Sequence, residues 1–237
     1  MMRLSQLFKL DYGRKLFLLA TLPLIFAVAA ISIVVTNQSK RLAETEIYAL
    51  ETQLIEAKKA ELHNYVTLAK NAFFSIYGGA APDDEEAKLR VTQILAAMIY
   101  GDEGFYFVYD YDGNNIVSPR QTNLINQNWS GQVDSNGVPI TDELIRIARS
   151  GAGYHSYIWV KPSTGEPAEM VTYVTGMQNW RWALGTGVFI DDVLLTVANT
   201  RTEVETRIAR TFVQIAIITF LALFLVFISG YFITVRE

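Results

Sequence analysis

The chain has 237 residues, a net charge of −4 and no cysteine. Without cysteine there is no disulfide, no thiol nucleophile and no thiolate metal site. An acidic balance lacks the clustered lysine and arginine that nucleic acid calls for. Hydrophobic residues make up 51% of the chain, and two uncharged blocks hold a large share of them, so one evenly built soluble globule is excluded.

Residues 1–14 read as a short basic cytoplasmic tail near lipid headgroups. The first block, Leu16 to Val35, is long enough to cross a hydrocarbon core of ~30 Å as a helix, which places a span over residues 15–36. It is too long for a secretory h-region and lacks a small-x-small cleavage site, so an anchor is preferred to a cleaved signal. Pro23 is tolerated inside such a helix. Arg3, Lys9, Arg14 and Lys15 outnumber Asp11 before the span and hold the N-terminus in the cytoplasm. A second uncharged block, Phe212 to Val235, predicts a span over 211–235, which leaves residues 37–210 outside.

After the first span, residues 39–77 predict one long helix. Ile47, Leu50, Leu54, Leu62, Tyr65, Ala69, Ala72 and Ile76 recur at three- and four-residue steps, and charged residues cover the other side. Gly78-Gly79 ends it. Asp83 followed by Glu86 reads as the cap of a next helix with Leu89, Ile94, Leu95 and Met98 inside. Five short antiparallel strands follow between residues 104 and 190. Phe105 to Tyr109 begins them, Asp112-Gly113-Asn114 supplies a hairpin turn, and Tyr154–Lys161, Ala168–Thr175 and Trp182–Phe189 complete them. Between the second and third strands, residues 118–153 form an insertion with a helix from about Thr141 to Arg149. An insertion of this length beside a sheet is usually functional or disordered. Residues 193–210 connect the last strand to the second span as a helix opened by Asp191-Asp192. The fold class is therefore α+β: a PAS-like five-stranded antiparallel sheet on a long N-terminal helix, flanked by two transmembrane helices.

No catalytic constellation stands out. His63 and His155 are the only histidines and have no metal-binding spacing, and no cofactor is implied. Asp110 to Asn114 resembles a calcium loop only superficially, since the glycine comes too early and the twelfth position lacks glutamate. Asn128-Trp129-Ser130 is a glycosylation sequon with meaning only in a eukaryotic secretory pathway. The informative pattern lies in the third strand, where Tyr157, Trp159 and Lys161 alternate onto one face. Tyr106 and Tyr173 from other strands, with Arg120 and Trp129 from the insertion, complete a candidate ligand-binding set. Aromatic walls, hydroxyl donors and a cation suit a small anion. The same residues also suit a filled core with Lys161 snorkelling at a strand end.

Gly104 to Asp110, Asp112-Gly113, Pro119, Gly153 to Pro162, Tyr173-Val174, Trp180-Arg181-Trp182 and Gly185 to Asp192 follow one another in an order that resembles the single Cache (sCache_2-type) extracellular sensor domains of bacterial chemoreceptors, histidine kinases and diguanylate cyclases. The resemblance covers roughly residues 39–193. It implies a periplasmic sensor domain over 37–192 in the bacterial inner membrane, and a small ligand, often a short carboxylate. Tyr157, Trp159, Lys161 and Tyr173 fall on the family's motif positions, whereas Arg120 and Trp129 lie where members vary. Ser118 stands where the family commonly has histidine before Pro119, so a contact made by that histidine is missing. The resemblance also implies a homodimer and an output region, here beyond Glu237, with no enzyme activity in the chain itself. Two rivals stay open: a membrane-anchored periplasmic interaction protein without a ligand, and a sensor of an amine or amide, for which Glu169 and Asp110 are the acids to watch near Lys161.

Overall fold

The computed structural model describes residues 12–101 and 103–235. The tail expected over residues 1–14 lies, apart from 12–14, outside the described residues, as do Arg3, Lys9, Asp11 and Arg236. The chain divides into two compact units, Met1–Ala49 with Val197–Glu237, and Leu50–Thr196.

Two helices run through both units. Helix α1 covers Tyr12–Gly79 without a break at Pro23, and a helix at the other end of the chain covers Asp191–Val235. Each carries a stretch long and apolar enough to cross a membrane. In the first unit Phe26, Ile31, Ile218 and Phe220 are all exposed. Water opposes such exposure of large apolar side chains, and a hydrocarbon core accepts it.

The second unit is built on a sheet. Its strands are β1 (Ile99–Tyr100), β2 (Gly104–Asp110), β3 (Asn115–Val117), β4 (Ala152–Val160), β5 (Pro167–Met177) and β6 (Trp182–Phe189). The order is β1-β2-β6-β5-β4, with β3 also on β2, and every pairing is antiparallel. The five strands read from the sequence are all present. The two-residue β1 is additional: it is too short to show alternation, and it forms because the turn at Gly101 folds Tyr100 back onto Gly104. Gly113 carries the β2–β3 turn at φ +92°, and a Cβ there would run into the Ser130 side chain. Only glycine meets both demands without strain.

One face of the sheet rests on α1 and on helix α2 (Glu85–Ala97). Val66, Ala69 and Phe73 of α1 and Ala87, Val91 and Leu95 of α2 pack there against Tyr106, Val108, Trp182 and Leu184. This corrects the helix faces read from the sequence. On α1 the buried steps are Leu62, Val66, Ala69 and Phe73, while Ala72 is exposed. On α2 Leu89 is 58% exposed and Ala87 and Val91 are inside. Both readings used a legitimate three-four period; burying Phe73 removes far more apolar area than burying Ala72, and this sets the rotation. The α2 cap is Asp84, one residue later than Asp83, and its carboxylate accepts from the Ala87 N–H at 2.9 Å. The opposite face carries helix α3 (Thr141–Ser150) and the insertion, packed on Phe105, Phe107, Tyr109, Tyr157 and Met170. Helix α4 is the segment Asp191–Val235 already described; it begins two residues after β6 ends.

Candidate functional site

Strand alternation divides the seven residues singled out in the sequence. On β2 the odd-numbered Phe105, Phe107 and Tyr109 face the insertion, so Tyr106 faces α1, where its hydroxyl donates to the Tyr65 carbonyl at 2.9 Å. Burial on that side pushes the Tyr106 pKa up to about 12. On β5 Met170 and Val174 share the insertion face, so Tyr173 also turns to the helices, against His63 and Tyr154. Tyr106 and Tyr173 are thus separated by the sheet from Tyr157 and Trp159. Alternation orders residues within one strand; only the pairing register relates one strand to the next.

Tyr157, Trp159 and Trp129 do come together. Trp129 and Trp159 meet edge to face at 5.8 Å between ring centroids, and Tyr157 and Trp159 at 6.1 Å. The Trp159 Nε1–H donates to Gln121 Oε1 at 2.9 Å, and the Tyr157 hydroxyl accepts from Thr172 Oγ1 at 3.1 Å. Burial raises the Tyr157 pKa, which the Thr172 hydroxyl only partly offsets. This phenol stays neutral across any physiological range.

The two cations lie elsewhere. Lys161 Nζ donates to Asp191 Oδ2 at 2.9 Å, with the lysine side chain 21% exposed and the aspartate 44%. The acid beside Lys161 is therefore Asp191, not Glu169 or Asp110. Asp110 instead closes the β2–β3 turn, accepting from the Asp112 and Asn114 N–H groups at 3.0 and 2.8 Å. Hydrogen bonding within the pair raises the Lys161 pKa and lowers that of Asp191. Arg120 reaches the Gly101 and Gly104 carbonyls at 3.5 Å, the outer limit of a hydrogen bond, and lines an open cleft with Glu103, Pro119 and Ser163.

Between the sheet and the insertion lies a hollow walled by Phe105, Phe107, Leu124, Ile140 and Met170. Tyr109, Ser118, Gln121, Tyr157 and Trp159 supply its polar edges. It is tight: the centre of a water-sized sphere has about 10 Å³ in which to move, room for one water. Asn115 pairs with Tyr109 across the β2–β3 ladder, and Thr141 opens α3 beside it. Burial raises the Tyr109 pKa, and the nearby Asn115 amide and Thr141 hydroxyl partly offset that. Yet Asn115 Nδ2 and Oδ1, Thr141 Oγ1 and Trp129 Nε1 are buried and align with no hydrogen-bonding partner among the described residues.

Asp134 fastens the insertion over this hollow. Its carboxylate accepts at 2.8 Å from the Ile158 N–H of β4 and at 2.8 Å from Asn136 and Val138 within its own turn. These bonds, the Ile158 one foremost, lower its pKa. Sequence reading missed Tyr109, Asn115 and Thr141. For Tyr109 the signal existed, since it shares β2 parity with Phe105 and Phe107; for Asn115 and Thr141 nothing local could reveal the meeting of a short strand and a helix start.

The single Cache domain 2 family model matches residues 54–203. A sensor histidine kinase, MctS, of Rhizobium johnstonii is 41% identical over 92% of this chain and 48% of its own length. The methyl-accepting chemotaxis protein McpP of Pseudomonas putida is 28% identical over 57% of this chain and 26% of its own. The chain thus spans half or less of the length of these curated relatives. A crystal structure of a methyl-accepting chemotaxis protein from Vibrio parahaemolyticus superposes with a TM-score of 0.58 at 30% identity, covering 62% of this chain and 99% of that one. A structure titled for carboxylic acid recognition by a Cache chemosensory domain gives 0.54 at 27% identity, covering 59% and 98%. The sheet on its long helix, the hollow beneath the insertion and these matches lead to one assignment: the chain belongs to the single Cache domain 2 family and carries a sensory, ligand-binding module.

Proposed function

We propose that residues 37–192 form a periplasmic sensor domain that binds a short carboxylate in the hollow between the sheet and the insertion, and that binding is passed through α4 to a cytoplasmic output. The observation that carries this reading is the hollow itself, apolar on its walls and lined at its edges by hydroxyl, amide and indole groups. Pockets for small metabolites have this composition. A Cache structure titled for carboxylic acid recognition supports the ligand class, and relatives named as a histidine kinase and chemotaxis proteins support a signalling output. The two apolar helix segments support a two-pass anchor in the bacterial inner membrane with the N-terminus inside. Exposed Leu68 and Phe74 on α1 support pairing with a second copy.

Trp129, Tyr157 and Trp159 are proposed to line the ligand. Lys161, paired with Asp191 at the first residue of α4, is proposed to couple β4 to that helix. The second salt bridge at this joint, Lys58 to Asp192 at 3.4 Å, adds α1 to the same corner.

The test is a thermal-shift and calorimetry screen of the full chain in lipid nanodiscs against short mono- and dicarboxylates, amines and amides. A saturating acid at 100 times its Kd should stabilise the protein by about 2.7 kcal/mol. Stabilisation by none of the acids would sink the carboxylate reading. That outcome would promote one rival, a ligand-free interaction module.

A further inference from the structure

A cleft separate from the hollow opens at the end of the sheet where β2 begins and β4 ends. Ile99 of β1, Glu103 before β2, Pro119 and Arg120 at the start of the insertion, and Pro162 and Ser163 of the β4–β5 turn line it. The two cavities share no residue. The cleft has about 350 Å³ of free space, within the roughly 300–1,000 Å³ that small-ligand pockets occupy. A small molecule enters it without rearrangement, whereas the hollow has room for one water.

The charged groups of the cleft are placed beside each other without being paired. Arg120 and Glu103 are both half-buried, yet among the described residues neither forms an ion pair, with the other or with a third group. A guanidinium has five N–H donors. The two bonds that Arg120 makes, to the Gly101 and Gly104 carbonyls, stand at 3.5 Å, where a hydrogen bond is weakest. The half-buried lysines at the same end of the domain are paired instead, Lys161 with Asp191 at 2.9 Å and Lys58 with Asp192 at 3.4 Å.

A cation and an anion that share a cleft without neutralising one another suit a ligand that carries both charges. A carboxylate meets the planar guanidinium through two parallel N–H···O bonds, and an ammonium donates to the Glu103 carboxylate. A simple acid would leave its charge facing Glu103, and a simple amine would leave its charge facing Arg120; each is opposed by the like charge that remains. Ile99, Pro119 and Pro162 add apolar surface for a short aliphatic side chain.

We propose that this cleft is a second ligand site, which takes a short aliphatic α-amino acid as its zwitterion, with Arg120 on the carboxylate and Glu103 on the ammonium. The site lies outside the hollow and does not depend on the carboxylate reading. Glu103 is also within electrostatic reach of Lys161, the partner of Asp191 at the first residue of α4. An ammonium on Glu103 therefore acts beside the joint between β4 and that helix.

Calorimetry on the full chain in nanodiscs tests this with glycine, L-alanine, L-valine and L-proline, with the ligand-free melting temperature as a fold control. At least one of the four should bind the parent. Arg120→Met and Glu103→Gln should each weaken it by about 10-fold or more, the loss expected for hydrogen bonds to a charged group. Neither side chain has an ion pair to lose, so the ligand-free melting temperature should stay within about 2 °C of the parent. If none of the four binds, the second site falls and the reading of the hollow is untouched. If one binds and both variants bind it like the parent, it sits elsewhere and the proposal is overturned. If Glu103→Gln tightens binding, the cleft reads a plain anion and the zwitterion claim falls. Should one variant fail to fold, the other decides by the same criteria.

Discussion

The two faces of one sheet are built on opposite terms. Against α1 and α2 the contacts are apolar and closed, and the polar groups find partners: Tyr106 on the Tyr65 carbonyl, the Trp180 indole on the Ala81 carbonyl at 3.2 Å, Tyr100 on Thr186. Against the insertion the apolar wall is interrupted by a hollow, and four buried side-chain polar atoms have no hydrogen-bond partner of good geometry among the described residues. A face whose hydrogen bonds are internally complete is committed to stability. A face that leaves donors buried and open keeps part of its interaction energy for a visitor, and such sites are commonly less stable than they might be made. The lesson is that the proposed ligand site draws on one face of the sheet, while the other face gives it a rigid backing.

Substitutions on the two faces should therefore differ in kind. Phe73→Ala, at 1% exposure on the helix face, should cost about 3–5 kcal/mol in chemical denaturation and leave any ligand-induced shift of the melting temperature unchanged in size. Leu124→Ala, beside the existing hollow, should cost nearer to about 2 kcal/mol, since less of the space it vacates was filled. Equal costs would erase the contrast between the faces.

Next in size comes Gly113→Ala. Its φ of +92° and the adjacent Ser130 side chain make alanine doubly unfavourable, with an expected loss above about 1 kcal/mol and a looser insertion by hydrogen exchange. A neutral result would show that the turn can relax and that the insertion is not fastened there.

The Lys161–Asp191 pair sharpens the link from the insertion face to α4. The folded-state pKa of Asp191 is depressed, so its contribution is present above the ordinary aspartate range near 3.9 and is lost as pH falls through the lowered value. That of Lys161 is raised, so its contribution is present below about 10.4 and is lost as pH rises through the higher value. Because both groups are partly exposed, Lys161→Met should remove about 0.2–1 kcal/mol between these limits and flatten both limbs of the stability–pH curve. An unchanged curve would remove the pair from the coupling route.

The smallest expected effect is at Asp134. Its lowered pKa means that its hold on the Ile158 N–H is complete above the ordinary aspartate range and fades as pH drops below it. Asp134→Asn should speed exchange of the Ile158 amide at neutral pH with little change in global stability. Exchange as slow as in the parent would mean that the insertion is held shut by its apolar contacts alone.

How much of this was legible in advance depends on the range of the interaction. The two apolar blocks, the long helix ending at Gly78-Gly79, the five longer strands and the α3 helix are set by local composition and periodicity, and each stands where the sequence placed it within a few residues. The grouping of the candidate residues was legible only in part. Tyr157 and Trp159 share a strand and therefore a face, and Trp129 joins them, but Tyr106 and Tyr173 were assigned across strands whose relative register no single strand encodes. The partner of Lys161 likewise lies 30 residues away, at the start of a helix.

Sequence alone determined the elements and the two stretches long and apolar enough to cross a membrane, because hydrophobic period and block length act over a few neighbouring residues. Tertiary structure decided which side of each strand faces the hollow, which way α1 and α2 turn, and that Asn115 and Thr141 meet beside Tyr109. Those outcomes depend on pairing register and on which side chains bury the most area together, quantities that exist only once distant segments have met.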